Sequence, residues 1–245
     1  MKPLRAVILD IDGTLLESND AHAHAWVEAM GEYGYSVPFE KVRPLIGMGG
    51  DKVLPETLGI EKDSEQGKRI SQRRGEIFKA RYLPQVKPFP QAQDLLQCMH
   101  DHSLTLVVAS SAEPDELKAM LQLIGPRVSD LIGQQASSKD AKQSKPDPDV
   151  IHAALERIGY SASEVVMLGD TPYDIQAAAK ANVATIALRC GGWTDSDLAG
   201  ALAVYNDPSD LLAHYETSPL VRDIPDSRLS RRDTALGGAF KRVST

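Results

Sequence analysis

A short run of branched apolar residues that stops abruptly at polar ones recurs along this chain, and it restricts the folds the chain can adopt. The first run, Leu4 to Leu9, ends in Asp10-Ile11-Asp12-Gly13-Thr14. Leu104 to Ala109 stops at Ser110, Val165 to Leu168 at Gly169-Asp170, and Ala184 to Leu188 at Arg189. Unbroken apolar runs of this length suit strands covered on both faces, as in a parallel sheet. Helix-like stretches lie between them, at Pro90 to His100, Pro114 to Ile124, Asp147 to Ile158 and Tyr173 to Ala181. Repeated βα units predict an α/β chain built on a doubly wound parallel sheet. In such a sheet the loops at the carboxyl ends of neighbouring strands meet in one crevice, so Asp10, Ser110 and Asp170 are expected to share a site.

The βα rhythm breaks between about Leu16 and Pro88, where the sequence reads as several helices without a convincing strand. The expected organisation is a Rossmann-like core of residues 1–15 and 88–215, with a helical cap, residues 16–87, inserted into it. Pro84, Pro88 and Pro90 mark the far border, where the chain leaves helical geometry. After about Tyr215 the sequence turns polar, with Arg222, Arg228, Arg231, Arg232, Lys241 and Arg242, so residues 216–245 are expected to form a mobile tail.

At 42% hydrophobic and 25% charged residues the chain has the composition of a protein with an ordinary buried core. A net charge of -7 argues against nucleic acid as the main partner. Cys98 and Cys190 lack the spacing of a zinc site or a disulfide framework, which suits a reducing compartment. Asp10 and Asp12 interrupt the stretch a signal peptide would need, and no apolar run reaches the roughly 18 residues of a membrane span. The expectation is a cytoplasmic protein, monomeric or a small homo-oligomer, without a membrane partner.

Asp10 and Asp12 occupy alternate positions where the first strand ends, so one carboxylate can attack while the other moves protons. Gly13 permits a tight turn that aims amide N–H groups at phosphate oxygens, and Thr14 adds a small polar side chain. Taken alone, the same residues also suit a turn that caps a helix. Ser110 can donate to a phosphoryl oxygen or cap a helix. Lys145, in Ser144-Lys145-Pro146-Asp147-Pro148, can be aimed at a phosphate or be surface charge. Asp170 and Asp174 supply hard oxygens suited to magnesium, or begin another capped helix.

In combination, DxDGT, then Ser110, then Lys145-Pro146, then Gly169-Asp170 with Asp174 resembles the four-motif signature of the haloacid dehalogenase superfamily. The resemblance runs from about Lys2 to Tyr215. It is to the subgroup with a helical cap between the first two motifs, which includes phosphoglycolate phosphatase-like and beta-phosphoglucomutase-like enzymes. By that resemblance Asp10 is the nucleophile, Asp12 the general acid and base, and Ser110 and Lys145 hold the phosphate. The implied cofactor is Mg2+, bound by Asp10, the Asp12 carbonyl and Asp170, with Asp174 acting on it through water. Thr14 and Ser111, beside the first two motifs, are expected to contact a small phosphorylated metabolite.

The cap offers weaker signals. His22, in His22-Ala23-His24-Ala25-Trp26, resembles a residue of the subgroup's first cap helix near the mouth of the site, while Trp26 reads as cap core. The stretch from Arg43 to Lys52 resembles the cap loop that dips toward substrate; Gly47 permits close approach, and Arg43 and Lys52 are candidate anion ligands. Arg73 and Arg74 read equally well as a solvated helix face. The expected activity is a phosphomonoester hydrolase. The alternatives are a phosphomutase, disfavoured by Gly50 where those relatives usually carry arginine; a dehalogenase, disfavoured by Asp12; and a catalytically silent binding module.

Overall fold

The computed structural model describes residues 3–137, 140 and 142–221. Six strands form one wholly parallel sheet: β1 (Ala6–Leu9), β2 (Thr105–Ala109), β3 (Ile132–Ala136), β4 (Val165–Gly169), β5 (Ala184–Leu188) and β6 (Ala203–Tyr205). Their order across the sheet is β3-β2-β1-β4-β5-β6. The chain steps outward from β1 through β2 to β3, then returns to the other side of β1 for β4. That reversal opens a crevice beyond the carboxyl ends of β1 and β4.

Every residue of β1 is fully buried, and the side chains alternate between two layers. Val7 and Leu9 join one apolar cluster with Val108, Leu168 and Leu188; Ala6 and Ile8 join a second with Val107 and Met167. Helices cover both layers, which is why the strands read as continuous apolar runs. In the core they are α5 (Ala92–Asp101), α6 (Pro114–Ile124), α7 (Val128–Leu131), α8 (Asp149–Ile158), α9 (Pro172–Lys180) and α10 (Pro208–Ala213).

The helical insertion after β1 carries α1 (Asn19–Glu32), α2 (Phe39–Val42), α3 (Gly50–Leu58) and α4 (Glu65–Ile77). The two segments that link it to the sheet pair with each other. Glu17 donates its N–H to the Lys87 carbonyl at 2.9 Å, and Phe89 donates to the Leu15 carbonyl at 3.0 Å. Leu15, Leu16, Ala23, Ile70 and Phe78 carry the first apolar cluster from the sheet into the insertion.

Two strands depart from the sequence expectation. β3 reads Ile-Gly-Gln-Gln-Ala, and as an edge strand it exposes its three central residues, so it lacks an apolar run. β6 is only three residues long at the opposite edge. Of the expected tail, residues 216–221 are described; Ser218 and Leu220 are buried, and Leu220 joins the main apolar cluster. The rest of that expectation, including its six basic residues, lies outside the described residues. Among the described residues no helix is long and apolar enough to cross a membrane.

Because Ile8 lies at the centre of the sheet with no exposed surface, Ile8→Ala is expected to lower unfolding free energy by about 2–5 kcal/mol. The check is a urea melt, in which the midpoint falls while the slope stays unchanged.

Candidate active site

The ends of β1 and β4 place Asp10 and Asp170 side by side, and the first turn of α9 adds Asp174. One carboxylate oxygen from each of these three buried residues lies within 4.8 Å of the others. The Lys145 ammonium enters this group from the loop before α8, 2.5 Å from Asp10 Oδ1 and 2.7 Å from Asp174 Oδ1, with 1% of its surface exposed. Thr14 donates to Asp10 Oδ2 at 3.2 Å and lies 2.8 Å from Asp170 Oδ1. Asp174 is oriented locally: its Oδ2 accepts from the Thr171 N–H at 3.0 Å and the Thr171 hydroxyl at 2.7 Å, a capping box at the start of α9.

The charges do not balance. Burial is the main force pushing the Asp10 carboxyl up to about 7, with Asp174 and Asp12 adding to it and Lys145 opposing it. Burial, then Asp10 and Asp174, likewise hold Asp170 well above the usual carboxylate range. Burial alone would depress Lys145, but Asp10 and Asp174 more than offset this and keep it a cation. Three buried carboxylates therefore face one ammonium.

Asp12 points elsewhere. Its carboxylate accepts from Ser18 Oγ at 2.5 Å and lies 2.8 Å from His22 Nε2, outside the cluster of three. Burial opposes its ionisation, yet His22, Ser18 and Arg74 hold the Asp12 carboxyl below its ordinary value. His22 is buried, stacks on Phe78 with ring centroids 4.0 Å apart, and meets Asp12 where both line the space over Asp10.

A small chamber of about 40 Å³ lies over Asp10, walled by Asp12, His22, Gly47, Arg74 and Ser111. Gly47 has φ +108°, and a Cβ there would come within 2.7 Å of Thr171 Cγ2, so glycine permits the insertion to approach the core closely. Ser110 is buried with its Oγ accepting from the Ala112 N–H at 3.1 Å, and it is absent from the walls of this chamber.

Two expected anion ligands are engaged within the protein. Arg43 donates to Asp20 at 2.5 Å and to the Gly191 carbonyl at 2.7 Å. Lys52 donates to Gln143 at 2.8 Å and Asp147 at 3.0 Å. Both tie the insertion to the core, and neither lines the chamber. Close by, Gly49 donates its N–H to Ser144 Oγ at 3.0 Å, and Ser144 donates its N–H to Asp51 at 3.1 Å.

Sequence reasoning missed three residues here. Asn19 donates from Nδ2 to Asp170 at 3.0 Å, and its buried Oδ1 has no hydrogen-bond partner among the described residues. Arg74 reaches Glu116 of α6 with 2.9 and 3.0 Å contacts and lies over the Trp26 ring at 5.3 Å, so Trp26 is chamber wall as well as apolar core. Adjacent helix positions point about 100° apart, which separates Arg74 from Arg73; the latter binds Glu32 and Glu76 at the surface. Reading the two arginines together, and assigning neither, overlooked that angle.

A family model of haloacid dehalogenase-like hydrolases matches residues 7–188. A hydrolase structure from Pseudomonas syringae aligns with a TM-score of 0.79 at 30% identity, covering 87% of this chain and 98% of that one. A phosphoglycolate phosphatase of Rhodospirillum rubrum is 27% identical over 218 residues, or 84% of this chain and 89% of its own. The fructose-1-phosphate phosphatase of Escherichia coli is 24% identical, over 75% of this chain and 95% of its own. The chain belongs to the haloacid dehalogenase-like hydrolases, in the helical-cap subgroup of phosphoglycolate phosphatase-like and beta-phosphoglucomutase-like proteins.

A divalent cation fits the group of three carboxylates. Hard oxygens converge there, negative charge exceeds the one ammonium present, and burial, with repulsion from the neighbouring carboxylates, makes both Asp10 and Asp170 resist ionisation. Without metal, native Asp10 keeps a proton that the unfolded chain releases near 3.8, so its contribution lowers stability as pH rises from there to about 7. Magnesium is expected to offset that loss, raising Tm clearly at about pH 8 and little at about pH 5. Thermal melts with and without magnesium check this; equal shifts at both pH values would contradict it.

Proposed function

We propose that the protein is a magnesium-dependent phosphatase that hydrolyses a small phosphorylated metabolite through an aspartyl-phosphate on Asp10. The observation that carries this reading is the division of labour at the end of β1. The Asp10 carboxylate faces Lys145 and Thr14, while Asp12, two residues on, is held apart by Ser18 and His22.

Asp10 attacks phosphorus, forming the acyl-phosphate bond as the ester P–O bond breaks, and Asp12 gives its proton to the departing oxygen. Water then attacks the same phosphorus while Asp12 takes back a proton; phosphate leaves and the Asp10 carboxylate is restored. His22 and Ser18 favour ionised Asp12, the form required in the second step. An arriving phosphate dianion adds negative charge and displaces water, and both effects push Asp12 toward the protonated form required in the first. Asp10 and Asp170 would hold the magnesium ion, with the Asp12 carbonyl as a further ligand and Asp174 acting through water; the ion would supply positive charge that lets a carboxylate and a phosphate dianion approach.

Lys145 neutralises part of the same charge and, through Asp174, keeps the loop before α8 tied to α9. Ser110 and Ser111 at the end of β2 are the proposed phosphate contacts. The proposed cap, residues 16–87, closes over the site and selects the substrate. Gly50 supports hydrolysis over the mutase chemistry, since the Trp26 ring lies 3.2 Å from the place of a Cβ there and obstructs a longer side chain.

The test is phosphate release from a panel of phosphorylated metabolites with and without magnesium. Release is expected to require the metal and to disappear in Asp10→Asn. Lys145→Ala is expected to lose about 100-fold to 1000-fold in kcat, the usual effect of removing one preorganised charge. Wild-type turnover in either variant would overturn the corresponding role.

A further inference from the structure

The chamber over Asp10 holds little more than a phosphoryl group, so the remainder of a substrate has to extend beyond it. Two larger chambers, each of about 230 Å³, adjoin it at Ser111. One runs beside Ser144 and Lys142; the other runs beside α4, past Trp26 and Arg74. Lys62, on the turn between α3 and α4, lines both. Its ammonium has no hydrogen-bond or ion-pair partner among the described residues. Of the other cations in these walls, Arg74 is already engaged by Glu116 and Lys142 is exposed.

The backbone under Lys62 is held firmly while its side chain is left free. Ser64 donates its N–H at 3.1 Å and its hydroxyl at 2.6 Å to the Glu61 carbonyl. Gly67, in the first turn of α4, packs so tightly beneath the turn that a Cβ would come within 2.1 Å of the Glu61 carbonyl oxygen and 2.8 Å of that of Lys62. Glycine is unfavourable in a helix relative to alanine, and here that cost is offset by close seating of the turn. A half-buried lysine on a fixed backbone, facing whichever chamber the leaving group enters, is arranged to meet a complementary charge.

We propose that Lys62 is a specificity-determining residue that binds a second anionic group, a carboxylate or a second phosphate, on the leaving-group side of the substrate. This rests on the phosphatase reading above. A charge-assisted hydrogen bond of this kind favours the anionic substrate over its neutral counterpart by about 10-fold to 100-fold in kcat/KM.

Matched pairs test it: 2-phosphoglycolate against 2-hydroxyethyl phosphate for a carboxylate, and fructose 1,6-bisphosphate against fructose 1-phosphate for a second phosphate. Wild type is expected to prefer the anionic member of at least one pair, and that pair identifies the group. Lys62→Gln is expected to reduce the preference at least tenfold, and Lys62→Arg to retain most of it. If wild type hydrolyses both members of each pair and Lys62→Gln leaves the ratios unchanged, this inference fails and the phosphatase reading stands. If wild type hydrolyses no member of either pair, both fail for these substrates.

Discussion

The ammonium of Lys145, fixed between Asp10 and Asp174, is the interaction on which the rest of the site depends. Three carboxylates converge at the ends of β1 and β4 and the start of α9, in surroundings that exclude most water. Like charges so close to one another are unfavourable at low dielectric. One buried cation reduces the repulsion without cancelling it. Burial, with the remaining negative charge, raises the Asp10 and Asp170 carboxyls above their ordinary range and creates the demand that a divalent cation would satisfy. A stability optimum would replace some of these groups with apolar ones; a site that must hold a metal and a phosphate beside a nucleophile has to retain them.

The same loop that carries Lys145 is the seat of the helical insertion. Ser144 accepts from Gly49 and donates to Asp51, Lys52 reaches Asp147, and Tyr173 of α9 donates to the Pro44 carbonyl at 2.7 Å. Arg43 adds a contact to the Gly191 carbonyl. These contacts all lie between the stretch from Arg43 to Lys52 and the core loops beyond the strand ends, so closure of the chamber and the placement of Lys145 share one set of hydrogen bonds. On the other side of the chamber Arg74 and Glu116 join α4 to α6. One of the two larger chambers is lined by Gly49, Asp51 and Ser144 of the first attachment and the other by Arg74 and Glu116 of the second.

Much of this was legible in the sequence because the constraint was local. A strand buried on both faces must be apolar throughout, so β1, β2, β4 and β5 announce themselves, and the polar residue after each marks the crevice. Of the residues gathered at Asp10, Asp170 was legible for the same reason, whereas Lys145 and Asp174 stood out only through the combination of four motifs. β3 and β6 were not, since edge strands need neither continuous apolar character nor length. Arg43 and Lys52 were placed in the right region but given the wrong neighbours: charge at a cap loop can meet substrate or the core, and only tertiary distances distinguish them. Arg74 and Asn19 went unread because their roles depend on which way a helix faces after docking. His22 was read as a group near substrate, and its bond to Asp12 emerges only once α1 is set against the end of β1.

The central claim is that Asp10 becomes covalently phosphorylated during turnover, and trapping the enzyme in acid while substrate is being consumed tests it most directly. Proteolysis and mass spectrometry of the quenched protein should then find one phosphoryl group on the peptide that contains Asp10, located at Asp10 itself, and none in Asp10→Asn. A phosphoryl group on Asp12 instead, or an unmodified peptide from enzyme shown to be saturated and turning over with its acyl-phosphate breakdown rate-limiting, would contradict the account.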